Sequence, residues 1–353
     1  MRAAWPWRYG FCLWLGASLV ACANIGPRAL SEDRLRYTES AAQSLEQQLL
    51  LNIVKVRYAE SPSFVEVTQI VGSYELTRDL SIGGEYHPND AADFISPGAA
   101  LRFSDKPTVT YSPLSGEGFA HTVMWPIPIP AVLALVQSGW AADLVLLQLV
   151  RSVNGVNNRV PRLDRPVPEN PAFTELARLF RELQDAGAID VRIQKESSKE
   201  PSLFLMLHRP ATPALAQELS RLRSLLGLRA DLVEASVTQG LLATRDDQLL
   251  IYTYSLLQVL INQAENVDVP AEHLAAGLVA ARPPARIPHA MHVHSGDAAP
   301  ADAAVAVAYK GKWFWVDGAD QKSKGVMMGL TIVFRVLESG TGGVTPLLTL
   351  PAN

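Results

Sequence analysis

Leu45-Glu46-Gln47-Gln48-Leu49-Leu50-Leu51-Asn52-Ile53-Val54-Lys55-Val56-Arg57-Tyr58, followed after Ser61-Pro62-Ser63 by Phe64-Val65-Glu66-Val67-Thr68-Gln69-Ile70-Val71, decides the fold class. In the first part Leu45, Leu49, Ile53 and Val56 recur at helical spacing, flanked by Leu50 and Val54. In the second the period falls to two. Val65, Val67 and Val71 share one face of a strand, with Glu66 and Thr68 on the other. A helix handing over to a strand in this way predicts an α+β protein.

Working upstream, Ser31 is a good N-cap, and Glu32 and Asp33 suit the positive end of the helix dipole. The helix is expected to run from Ser31 to about Tyr58, with Lys55 and Arg57 at its negative end. Downstream, a bulge at Gly72 restores the parity of Tyr74 and Leu76. Further extended stretches are predicted at Ser81–Tyr86, Ala100–Phe103 and Pro107–Ser112, separated by His87-Pro88-Asn89-Asp90 and Ser96-Pro97-Gly98. These strands predict an antiparallel sheet packed on the first helix. Trp125-Pro126-Ile127-Pro128-Ile129-Pro130 reads as an extended connector, because alternating prolines suit neither a helix interior nor a central strand. Ala131–Val153 reads as an apolar helical hairpin bent near Gly139. Each arm is too short to span a bilayer, so a place in the core is expected.

Pro161–Pro171 has no apolar period and is read as a linker. It divides the chain into an N-terminal α+β lobe over 22–160 and a C-terminal α+β lobe over 172–353. In the second lobe Phe173–Ala186 and Pro213–Leu226 are predicted helices. Val191–Gln194 and Leu203–Leu207 form a hairpin, and Leu249–Asn262 is a third helix. Met291–His294 and Val305–Tyr309 are strands, and a tight turn at Gly311 leads into Trp313-Phe314-Trp315-Val316. Lys324–Leu337 is helical, and Pro346–Leu350 is a closing strand. The expected architecture of this lobe is helices on an antiparallel sheet.

The first 21 residues have a different character. Arg2 and Arg8 precede an uncharged, mostly apolar run ending in Leu19-Val20-Ala21-Cys22. This is the layout of a secretory signal peptide over 1–21. Its end resembles the bacterial lipobox, which implies acylation of Cys22, palmitate among the chains, and Cys22 as the first mature residue. Several chains give stable anchoring at roughly 0.8 kcal/mol per buried CH₂, where one chain is marginal. Read as a spanning helix, the run is weakened by Gly10, Gly16, Gly26 and Pro27. Ala23, in place of Asp, implies the outer membrane by the same resemblance.

Composition narrows the chemistry. The chain has 31 Lys plus Arg against 35 Asp plus Glu, and loss of Arg2 and Arg8 leaves 29 against 35, a net charge of −6. Nothing here favours a phosphate backbone, so no nucleic-acid partner is expected. Cys12 and Cys22 are the only cysteines among 353 residues. With Cys12 discarded and Cys22 lipidated, no thiol nucleophile, disulfide or thiolate metal site remains. The core must supply the stability.

Several stretches together carry a wider likeness. They are Arg36-Tyr37 with Glu46–Asn52 and Arg57-Tyr58, then Tyr111-Ser112-Pro113-Leu114-Ser115-Gly116-Glu117. Ser138-Gly139-Trp140 with Asn154-Gly155 and Trp313–Asp317 with Ser323-Lys324 and Thr349-Leu350-Pro351 complete the set. They resemble a family of uncharacterised proteobacterial outer-membrane lipoproteins over nearly the whole mature chain. The resemblance implies a lipid-anchored protein on the periplasmic face of the outer membrane. It implies no activity, no catalytic residue and no cofactor.

Candidate chemistry is thin. His289, His292 and His294, with Asp297 nearby, form one metal-like cluster, and on a strand His292 and His294 point the same way. Ser115 sits in a tight turn with Glu117 and His121 close in sequence, an arrangement open to nucleophilic catalysis but without a Gly-x-Ser-x-Gly elbow. Glu117 and Asp143 are the acids a glycosidase pair would draw on, with no spacing to select them. Asp317, Asp320, Lys322, Ser323 and Lys324 read as a charged loop, with Asp320 capping the next helix. Of Trp313, Phe314 and Trp315, one face belongs to the core and the other is open to a ligand. The expected role is therefore non-catalytic: a membrane-tethered accessory or scaffold module for another envelope component, with no cofactor. A periplasmic hydrolase of cell-wall glycan or ester is the alternative.

Overall fold

In the computed structural model of the protein, residues 25–339 are described apart from 72–73, 86–93, 106–107, 163–164, 166, 195–201 and 282–286. Cys22, the expected signal peptide, the expected bulge at Gly72 and the expected closing strand over Pro346–Leu350 lie outside the described residues. The protein is mixed α+β, as the sequence predicts.

The first helix, α1 (Ile25–Arg57), includes the predicted one and buries Leu49, Leu50, Ile53, Val54 and Val56. What it packs on differs from expectation. The next four strands are β1 (Val65–Val71), β2 (Tyr74–Glu85), β3 (Phe94–Asp105) and β4 (Thr108–Pro113). They do not form a sheet over α1. β1 pairs with β4 and β2 with β3, both antiparallel, and the register runs on from Val71↔Thr108 to Tyr74↔Asp105. The result is one long two-stranded ribbon, with an irregularity between Val67 and Gln69. Among the described residues, no third strand joins it.

A short helix, α2 (Gly116–Phe119), and a single π-turn (Ala120–Met124) follow. The proline connector is extended as expected and laces onto the core. Pro126 bridges to Ser255, Ile127 N–H donates to Tyr254 O at 2.9 Å, and Thr253 Oγ1 donates to Ile127 O at 2.6 Å. The apolar hairpin is α3 (Ile129–Gln137) and α4 (Ala142–Leu149). Gln184 fastens its turn by donating to Val136 O and Trp140 O and accepting from Ala142 N–H. Among the described residues, no helix is long and apolar enough to cross a membrane.

Val150–Val153 leaves the helical hairpin as β5 and turns at Asn154-Gly155 into β6 (Val156–Asn157). Then come α5 (Pro171–Asp185), β7 (Ile189–Gln194), β8 (Ser202–Leu207), α6 (Pro213–Leu226), β9 (Glu234–Gln239) and β10 (Gln248–Thr253). The strands form one six-stranded sheet in the order β6-β5-β10-β9-β8-β7. Every neighbouring pair is antiparallel except β9 and β10, so the sheet is mixed. Strands from both sides of residues 161–171 share this sheet. The expected linker therefore does not separate two independent lobes.

Leu249–Thr253 was expected to be helical but is a central strand. Leu249, Ile251 and Thr253 are buried and their neighbours half-buried, a period of two set by the flanking strands. The helix starts only at α7 (Leu256–Ala264), where Ser255 and Gln258 form a reciprocal capping box. α3, α4 and α5 cover one sheet face, against Val191, Leu205, Val237, Leu249 and Ile251. On the half-covered face the Arg192 and Arg151 guanidiniums stack over Phe204 and Tyr252.

The last third supplies α8 (Ala271–Ala275), β11 (His294–Gly296), β12 (Val305–Tyr309), β13 (Lys312–Val316) and α9 (Gln321–Ser339). β12 and β13 form the predicted hairpin, with Lys310 and Gly311 both at positive φ, and β11 pairs on the other edge of β13. α1 packs here, against α7, β12 and α9. Phe64 meets Phe334 at 4.8 Å between ring centres, and Tyr58 meets Phe314 edge-on at 6.1 Å. The first helix thus completes the core of the last elements.

Asn154 is a heavily used turn residue. Its side chain accepts from Leu250 N–H at 2.6 Å and donates to Leu226 O at 2.8 Å and Gln248 O at 2.9 Å. Its φ is 45°. Asn154→Ala is expected to lose about 2–4 kcal/mol in urea denaturation, from three hydrogen bonds at about 1 kcal/mol each and a left-handed backbone. Asn154→Gly is expected to lose less, because it removes the bonds but not the tolerance of positive φ. A cost below about 0.5 kcal/mol for Asn154→Ala would show that the turn does not hold the sheet edge.

Candidate functional site

The side chains that converge most closely are Asp268, His292 and His294. They come together through backbone pairing. Val267 and Val293 form an isolated parallel bridge, in which Asp268 N–H donates to Val293 O at 2.8 Å and Val293 N–H donates to Asn266 O at 3.2 Å. His294 begins β11 and pairs with Trp315 of β13. Its ring stacks on the Trp315 indole, with centres 5.7 Å apart and planes at 23°. His292 N–H donates to Ser323 Oγ at 3.0 Å, and that hydroxyl donates to Asp320 Oδ2 at 2.5 Å.

The resulting geometry is tight. His292 Nε2 lies 2.8 Å and His294 Nδ1 3.6 Å from the same oxygen, Asp268 Oδ2. The two imidazole centres are 3.9 Å apart. The side chains are 20%, 32% and 42% exposed for His292, His294 and Asp268, so the cluster is reachable from solvent.

Beneath the cluster the loop 287–293 is held by polar side chains on one face of α7 and just beyond it. Gln263 Oε1 accepts from Met291 N–H at 2.8 Å. Asn266 accepts from Ile287 N–H and donates to Ile287 O and Ala290 O. Gln148 of α4 donates to His289 O and accepts from Gln263 Nε2 and Asn262 Nδ2. Arg159 bonds Asn262 and pairs with Glu265 at 3.0 Å, the two side chains only 2% and 4% exposed. Buried amides and a buried ion pair thus set the position of the histidine loop, and each removed partner leaves an expensive orphan.

Two members of the sequence cluster lie apart from this trio. His289 is buried, with Nδ1 3.1 Å from Glu169 Oε1. Burial pushes its imidazole down to about 4, aided by the Arg159 and Lys322 charges. Asp297 is exposed and bonds Lys312 Nζ at 2.6 Å, and Lys312 also meets Glu272 at 2.7 Å. The acid that joins the two histidines is therefore Asp268, not Asp297. Period and spacing do not reveal it, because a backbone bridge brings it to the histidines from before α8.

The remaining candidates are dispersed. Ser115 is the exposed N-cap of α2 and makes no side-chain cap bond. No hydrogen bond joins it to Glu117 or His121, and the His121 ring packs on Trp125, with centres 4.9 Å apart. Asp143 lies in the first turn of α4. Asp320 caps α9 as predicted, accepting from Lys322 and Ser323 N–H at 3.1 Å. Phe314 is buried in the core, whereas Trp313 is exposed and Trp315 half-covered beside His294.

Gln263→Leu keeps the volume but strands Met291 N–H and leaves Gln148 Oε1 with only the 3.4 Å bond from Asn262. We expect a loss of about 1–3 kcal/mol in stability and faster amide exchange at Met291 and Val293. Unchanged exchange at both amides would show that Gln263 does not hold the histidine loop. Comparison of the chain with protein-family models, with curated proteins and with solved structures finds no match.

Proposed function

We propose that the protein is a lipid-anchored envelope component, attached through Cys22 to the outer membrane and facing the periplasm. Its role in this reading is non-catalytic: it binds another envelope component and serves as an accessory or scaffold module. One observation carries the binding part, the ribbon of β1–β4. A two-stranded ribbon is marginal in water by itself, and each of its strands keeps one edge outside the pairing. Its most extensive contacts are between its own strands, and at its base Gln48 of α1 accepts from Val65 N–H and donates to Val65 O. Such a ribbon gains most by accepting an extended partner segment at an edge, with main-chain hydrogen bonds supplying affinity. Exposed apolar surface lies on the ribbon and on the chain that leaves it, with Tyr111 of β4 and, beyond it, Met124 and Trp125 each more than half exposed. The lipid part rests on the signal-like leader and Leu19-Val20-Ala21-Cys22.

The test has two arms in cells. Labelled palmitate is expected to enter the wild-type chain and not Cys22→Ala. Incorporation into both would remove the anchor. A chain with residues 74–105 replaced by Asn-Gly is expected to keep its membrane fractionation and thermal midpoint and to lose the crosslinked envelope partner. Recovery of the same adduct without the ribbon would contradict the proposal.

A further inference from the structure

We infer that Asp268, His292 and His294 form a binding site for a divalent d-block cation of the zinc class. The inference is independent of the ribbon and of the lipid anchor.

The donor set points to this chemistry. Two imidazole nitrogens and one carboxylate oxygen lie within 4.8 Å of one another. Nitrogen donors with a single carboxylate suit zinc, cobalt, nickel or iron(II), whereas calcium and magnesium take oxygen shells and copper(I) takes sulfur. The spacing also fits. Metal–ligand distances of about 2.0–2.1 Å place tetrahedral ligands about 3.3–3.4 Å apart. The two measured separations from Asp268 Oδ2, 2.8 and 3.6 Å, bracket that edge. The two imidazole donors lie within 4.8 Å of each other, and a cation at the centre draws the three side chains onto one tetrahedral face.

The support is built in. The parallel bridge at Val267 and Val293 fixes Asp268 against the histidines. Ser323 and Asp320 tie down the His292 backbone, and Trp315 limits the rotation of His294. Such groups pre-orient ligands so that little entropy is lost on binding. Three protein ligands with partial exposure leave a coordination position facing solvent. That is the pattern of a site that exchanges its fourth ligand, not of a closed structural zinc.

The test is zinc titration of the full chain in detergent, stripped with a chelator and read by competition with a chromophoric ligand. One equivalent is expected to bind with a micromolar or tighter Kd and to raise the thermal midpoint. Affinity is expected to fall by about ten-fold or more in His292→Ala, His294→Gln and Asp268→Asn, and to stay within about two-fold in Asp297→Asn. Zinc-edge absorption of the wild-type chain is expected to show two imidazole ligands, a readout that does not depend on any variant folding. Failure of the wild type to take up one equivalent would overturn the inference. So would a shell without two imidazoles, or unchanged affinity in His292→Ala and His294→Gln together.

Discussion

Arg159 and Glu265 stand 3.0 Å apart with their side chains almost entirely out of water, and much of the structure depends on that pair. A lone buried charge costs several kcal/mol, so each holds the other in place. The guanidinium is not satisfied by the pair alone. Arg159 also bonds Asn262 and the Val167 carbonyl, and its own carbonyl accepts from the Tyr254 hydroxyl. From Asn262 the hydrogen bonds continue to Gln148, Gln263 and the backbone of the 287–293 loop. A helix from the first half, a coil after β6, and α7 with its following turn are thereby fixed at one point.

The rest follows from this constraint. α4 cannot separate from α7 without stranding Gln148, so the apolar hairpin and the sheet stay registered with the last third of the chain. The histidine loop inherits its position from Gln263 and Asn266, which places His292 beside Asp268. α1 then closes the same assembly from the other side, burying five aliphatic residues against α7, β12 and α9. The ribbon is outside this network, so it can be altered with little effect on the core.

Much of the fold is legible in the sequence where local patterns suffice. The Leu45–Val56 period gives α1, and Lys310-Gly311 between apolar runs gives the β12–β13 hairpin. What was misread needs tertiary information. Leu249–Thr253 is apolar at every position but Thr253, so its period is ambiguous until the sheet imposes one, and the Ser255–Gln258 capping box is the local sign of the true helix start. Val150–Val153 continues an apolar helical run and becomes a strand only because β10 lies beside it. At the site, His292 and His294 are visible from their spacing, but Asp268 reaches them through a bridge between remote segments. Asn262, Gln263 and Asn266 look like ordinary surface polar residues until their burial is seen.

Both sides of residues 161–171 thus form one cooperative core locked by the buried network. Native-state hydrogen exchange tests it most directly, comparing the amides of Val150–Val153 with those of Leu249–Thr253 and Phe314–Val316. One shared opening free energy is expected for all three segments, lowered together by Glu265→Leu. Separate opening free energies on the two sides of 161–171, with only one responding to Glu265→Leu, would contradict it.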